Sequence, residues 1–167
     1  MRKVLSVFAA VLLLAACETA SDQTAGTAGQ GGATGAGTAP ATAARPSVRP
    51  GSQEDLVANV GDRVFFDFDK SDLKPEARRT VERWAAWLRQ HPTVTVTVEG
   101  HADERGTREY NIGLGERRAA SAKNFLVSLG IDARRVATIS YGKERPAVIG
   151  SNEAAWSQNR RGVMVVN

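Results

Sequence analysis

A chain of 167 residues and 17.8 kDa, 42% of them hydrophobic, has room for one well-cored domain and some length besides. Its 22 basic against 18 acidic residues suggest a nucleic-acid binder, but Arg2 and Lys3 lie in a segment expected to be removed, leaving 20 against 18. So mild a balance, with basic and acidic residues interleaved, argues against nucleic acid as a partner, and a single cysteine excludes an intrachain disulfide.

Arg2 and Lys3 precede an apolar run from Val4 to Leu14, followed by Leu14-Ala15-Ala16-Cys17. This is the layout of a signal peptide over residues 1–16. At ~1.5 Å per residue the run reaches only about half of a ~30 Å hydrocarbon core, which disfavours a stable transmembrane helix. The tetrapeptide resembles the lipobox of bacterial lipoproteins. That resemblance implies cleavage before Cys17 and lipidation of Cys17 as a membrane anchor, and Glu18 after it favours the outer membrane. An ordinary secreted protein with an incidental thiol is the alternative.

From Glu18 to Pro50 the composition collapses to small and polar residues, so 17–52 is expected to be a disordered Ala/Gly/Thr/Pro tether. Larger apolar residues return near Gln53, and 53–167 is the expected folded domain. Within it Val64 to Phe68 alternates as a short strand, with Val64, Phe66 and Phe68 on one face. Pro75 suits the first position of a helix carrying Ala77, Val81, Trp84, Ala85 and Leu88 and stopped by His91-Pro92.

A second strand spans Thr93 to Glu99, and Gly100 allows a turn. A second helix follows, from Thr107 or Asn111 to Leu129, with Leu114, Arg118, Ala122, Phe125 and Leu129 on one side and Gly130 ending it. Strands over 136–141 and 162–166 flank a short helix or turn over 152–159. The pattern predicts an α/β two-layer sandwich: a mixed four-stranded sheet with helices packed on it, in βαβαββ order.

Asp103 lies just past the second strand and Arg118 about a turn into the following helix, so a strand-loop-helix turn can bring opposite charges to one mouth. Spacing alone leaves two alternatives open. Asp103 can be an N-cap or loop acceptor, and Arg118 its salt-bridge partner.

The stretches FDFDKSDLKPEA, VTVEGHADERGTREYNIGLGERRA, SYGKERPA and NEAAWSQNRRGVMV together resemble the peptidoglycan-associated lipoproteins of the Tol-Pal system, within the wider OmpA-like superfamily. The likeness runs from about Val60 to the C-terminus. It implies a periplasmic domain, tethered to the outer membrane, that binds peptidoglycan through the diaminopimelate of its stem peptides, and that exchanges partners with Tol proteins during envelope constriction and cell division. It also implies site residues: the motif aspartate is Asp103, the helix arginine Arg118, the first-strand contacts Phe68 and Asp69, and the apolar helix contact Leu114.

The free end of diaminopimelate carries an ammonium and a carboxylate on one carbon. A guanidinium fork suits the carboxylate and an aspartate the ammonium, hence Arg118 and Asp103. Phe68 and Leu114 are expected as apolar walls. Gly113 and Gly115 are expected to loosen the start of the helix at ~1 kcal/mol each. Glu104, Arg105, Arg108, Glu109, Glu116 and Arg117 are expected to form a solvated face.

Three rivals remain. His101, Asp103 and Glu104 crowd together as in a metal-dependent hydrolase, but the only other histidine, His91, sits beside Pro92, and metal sites need three or four converging ligands. No Gly-x-Ser-x-Gly, second cysteine or phosphate loop is present, so neither catalysis nor a cofactor is expected. Export argues against nucleic acid, and no barrel strands or spanning helix precede the domain as a porin or flagellar-motor protein would require.

Overall fold

The computed structural model describes residues 48–167, so the expected signal peptide, Cys17 and the tether up to residue 47 lie outside the described residues. The first element, α1 over Gln53–Asn59, is a helix that the sequence pattern did not announce. Ser52 caps it, its Oγ accepting from the Asp55 N–H at 3.3 Å. At seven residues it is too short to stand alone. Burial of Leu56 and a 3.0 Å hydrogen bond from Trp87 Nε1 to Asp55 Oδ2 hold it against the next helix.

Strand β1 covers Arg63–Phe65 only, shorter than the expected run to Phe68. The chain leaves the sheet because Lys70 N–H bonds back to Asp67 O at 3.2 Å and Asp69 takes the left-handed conformation, with φ 56°. Aspartate is one of the few residues that tolerates it. Phe66 stays in the core, but Phe68 is turned outward and is 56% exposed. The expected single face of Val64, Phe66 and Phe68 is therefore corrected at its last member.

Pro75 opens α2, Pro75–Gln90, which buries Ala77, Val81, Trp84, Ala85 and Leu88 at helical spacing, with Trp87 buried beside them. Strand β2 runs over Val96–His101, a little later at both ends than the pattern suggests. Helix α3, Arg108–Ser128, is capped by Thr107, whose Oγ1 accepts from the Tyr110 N–H at 3.2 Å. Strand β3 is Val136–Gly142, α4 is Glu153–Asn159 and β4 is Arg161–Val166.

The sheet order is β1-β4-β2-β3, with β2 and β3 parallel and the other two pairs antiparallel. The parallel pair requires a crossover, which α3 supplies. The expected mixed four-stranded α/β sheet is therefore present. Its core face carries Val64, Val96, Val98 and Met164 against Val81, Trp84, Leu88, Ala119, Ala122 and Leu126.

Gly115 has a different role from the one expected. A Cβ placed on Gly100 of β2 would lie 1.8 Å from the carbonyl oxygen of Gly115, so α3 crosses β2 backbone against backbone. Only glycine permits that approach. The contact sets the height of Leu114 and Arg118 above the end of β2.

Candidate ligand-binding site

The polar residues that follow β2 emerge beside the first turns of α3. Ala102 N–H donates to Gly142 O at 2.8 Å, extending the pairing with β3 and steadying the residue before Asp103. Helix α3 then returns over the same strand end. Phe68, Asp69, Asp103, Leu114 and Arg118 consequently line one pocket of about 160 Å³, together with Arg105, Gly106, Tyr110 and Asn111. All five expected ligand contacts, drawn from three separate parts of the chain, face one cavity.

Asp103 and Arg118 share this pocket without joining, so the salt-bridge alternative does not describe it. Arg118 is fully buried and donates to three main-chain carbonyls: Nε to Lys70 at 2.8 Å, Nη1 to His101 at 2.7 Å and Nη2 to Asp67 at 3.0 Å. A guanidinium has five N–H donors, and these carbonyls take three of them. Burial pushes its pKa down to about 10, opposed by the nearby Asp103 charge, and it stays protonated at neutral pH. Arg118 is therefore as much a clamp on the backbone as a pocket cation.

Asp103 is 4% exposed. Its Oδ1 accepts from the N–H and the Nε of Arg105, both at 3.2 Å, and its Oδ2 from Arg105 Nη2 at 2.5 Å and Arg160 Nη1 at 3.4 Å. Burial alone would raise its pKa, but the Arg105 hydrogen bonds and charge, with help from Arg160, hold it below the ordinary aspartate value. It is thus ionised, and of the open alternatives the loop acceptor applies while Thr107 provides the cap. Asp69 accepts from the Tyr110 hydroxyl. Leu114 is buried, whereas Phe68 forms an exposed rim rather than a second buried wall.

The hydrolase alternative needs His101, Asp103 and Glu104 to converge, and they do not. The His101 ring lies 5.6 Å from the Tyr141 ring and 3.5 Å from the Glu99 carboxylate, while Glu104 accepts from Trp156 Nε1 at 3.0 Å. Among the described residues no group of three or more His, Cys, Asp or Glu side chains could hold a metal ion. His101 is buried with neither ring nitrogen hydrogen-bonded among the described residues. Burial, followed by the charges of Arg161 and Arg145, pushes its pKa down to about 4, so the ring is neutral at neutral pH. What His101 supplies to the site is its carbonyl, which Arg118 holds.

Residues 65–160 match the OmpA family. The peptidoglycan-associated lipoprotein of Mesorhizobium japonicum is 47% identical over 161 residues, covering 96% of this chain and 90% of the relative. The chain belongs to the peptidoglycan-associated lipoproteins of the OmpA family. The Agrobacterium fabrum peptidoglycan-associated lipoprotein is 54% identical over 120 residues, 72% of this chain and 68% of its own. Among solved structures, that of the Burkholderia pseudomallei peptidoglycan-associated lipoprotein is similar at 37% identity and a TM-score of 0.62, covering 64% of this chain and 90% of that one. The C-terminal domain of Helicobacter pylori MotB, at 19% identity and TM-score 0.60, shares the fold.

In this OmpA-family chain two arginines matter that sequence reasoning does not single out. Arg105 is assigned by pattern to a solvated face; instead it lies over the pocket, its guanidinium carbon 4.0 Å from the ring centroids of both Phe68 and Trp156. The available signal is its position two residues after Asp103, where an aspartate commonly hydrogen-bonds the backbone. Glu104, Arg108, Glu109, Glu116 and Arg117 are exposed as expected. Arg160, 5% exposed, is 57 positions from Asp103, and no local pattern links them.

Proposed function

We propose that this chain is a non-catalytic outer-membrane lipoprotein whose pocket binds peptidoglycan through the diaminopimelate end of a stem peptide. The observation that carries the reading is an ionised Asp103 and a protonated Arg118 in one 160 Å³ pocket with no bond between them. An anion and a cation that do not neutralise each other suit a zwitterion. A cavity of ~150 Å³ holds a molecule the size of benzene, so this one suits one amino-acid end rather than a whole stem peptide. In this reading Asp103 takes the ammonium, the two remaining N–H groups of Arg118 take the carboxylate, and Leu114 and Phe68 exclude water.

The membrane link rests on Cys17, and the Ala/Gly/Thr/Pro tether would let the domain reach the wall. Tol proteins of the periplasm and inner membrane are the proposed protein partners, with envelope integrity and constriction at division as the outcome. The names of the relatives and the lipobox support this reading.

Two experiments test it. Asp103→Asn keeps the shape of the side chain and removes its charge. Co-sedimentation with diaminopimelate-type sacculi is expected to weaken about ten- to a hundredfold, the loss of one charge-assisted hydrogen-bond site. Undiminished binding would remove the pocket from the function. Mass spectrometry of the mature N-terminal peptide is expected to find acylated Cys17, and a free Cys17 thiol there would refute the anchor.

A further inference from the structure

Taking the zwitterion reading above as its basis, we propose that Arg105 is a built-in competitor for the ligand's ammonium, holding the Asp103 carboxylate with its guanidinium and giving it up when ligand binds. An ionised carboxylate offers about four acceptor positions. Asp103 already accepts four hydrogen bonds, three from Arg105 and one from Arg160. An ammonium can therefore reach Asp103 only by displacing one of the two guanidiniums.

Which one gives way follows from their surroundings. Arg160 is buried and also donates to Phe66 O at 3.1 Å and Glu153 Oε1 at 2.5 Å. Its departure would strand a buried carbonyl. The Arg105 side chain is 31% exposed, and the next residue, Gly106, has φ 90°, a conformation open to glycine. Its guanidinium rests between Phe68, itself on the rim, and Trp156. Cation–π contacts of this kind at exposed sites are weak enough to be exchanged. When Arg105 swings out, Arg160 still pairs with Asp103, so the carboxylate is never buried alone.

Binding is then an exchange of one cation for another at a single carboxylate. A bare ammonium gains little by it, because it replaces an existing bidentate pair with a single point charge. A ligand that also places a carboxylate on Arg118 gains a second contact with no internal competitor. Arg105 thus makes the site select for the zwitterion over simple amines, and Trp156 loses its stacked cation whenever the pocket is filled.

The test is calorimetry on the folded protein with a synthetic stem tripeptide ending in meso-diaminopimelate, paired with tryptophan emission. Arg105→Gln retains length and polarity without the charge. It is expected to bind the tripeptide about three- to tenfold tighter than wild type, the scale of one partly exposed ion pair. Its ligand-free emission should already resemble that of the ligand-saturated wild type, a difference that disappears in a Trp156→Phe background. Arg105→Lys, which keeps charge but loses the fork, is expected to fall between the two and serves if the glutamine variant does not fold. Equal or weaker binding by Arg105→Gln overturns the competitor role. If adding Asp103→Asn to Arg105→Gln leaves its affinity unchanged, the fault lies with the zwitterion reading instead.

Discussion

Arg118→Ala is expected to cost about 3–5 kcal/mol of folding stability, more than any other pocket substitution. The guanidinium holds the carbonyls of Asp67 and Lys70, in the turn after β1, to that of His101 at the end of β2. Removing it leaves the buried His101 carbonyl without its donor, worth roughly 1–3 kcal/mol, two part-buried carbonyls at less each, and a void beside the Phe66 ring, whose centroid lies 5.2 Å from the guanidinium carbon. Lysine does not rescue this, since a single ammonium cannot reach three carbonyls set out for a planar fork. Denaturant unfolding followed by circular dichroism reads the effect. If Arg118→Ala unfolded within ~1 kcal/mol of wild type, the clamp would be refuted. Loss of ligand binding in an Arg118 variant therefore mixes two effects, and Asp103→Asn is the cleaner probe of the pocket.

The second large effect is expected at the helix-strand crossing. In Gly100→Ala the new methyl would lie 1.8 Å from Gly115 O and 2.5 Å from its carbonyl carbon, both backbone atoms that cannot rotate away. Helix α3 would have to lift from β2, taking Leu114 and Arg118 with it. A loss of about 3 kcal/mol or more is expected, at the upper end of overpacking costs. Gly113→Ala provides the contrast. Its Cβ would meet only the end of the Arg117 side chain at 3.4 Å. Replacing a mid-helix glycine there is expected to stabilise by ~0.5–1 kcal/mol. Thermal melts of the two variants decide the matter, and comparable melting temperatures would show that the close approach has no energetic weight.

These two sites mark where sequence reasoning reaches its limit. Gly113 and Gly115 lie in one helix, and local propensity treats both as weak points. Yet Gly115 lies against Gly100 of a neighbouring strand and Gly113 against a flexible side chain. The distinction depends on which side of α3 meets the sheet. Likewise the alternation through Val64, Phe66 and Phe68 reads as one strand face. The left-handed turn at Asp69 sends Phe68 out to the rim, where Arg105 stacks on it.

What the chain determined by itself was the type of its main elements and the nearness of Asp103 and Arg118 to one strand-loop-helix turn, while Phe68, Asp69 and Leu114 entered through the family resemblance and Arg105 not at all. Period-2 alternation, helical spacing and Pro75 are short-range signals, and Asp103 and Arg118 sit in local motifs beside them. The tertiary structure alone decided who bonds to whom within that pocket. Asp103 and Arg118 carry opposite charges close in sequence, which invites a salt bridge. Instead the carbonyls of Asp67, Lys70 and His101 claim Arg118, while Arg105 and Arg160 claim Asp103. Charge spacing along a chain sets which groups can meet, but burial makes every donor and acceptor seek the nearest well-aimed partner, and those partners arrive from other parts of the chain.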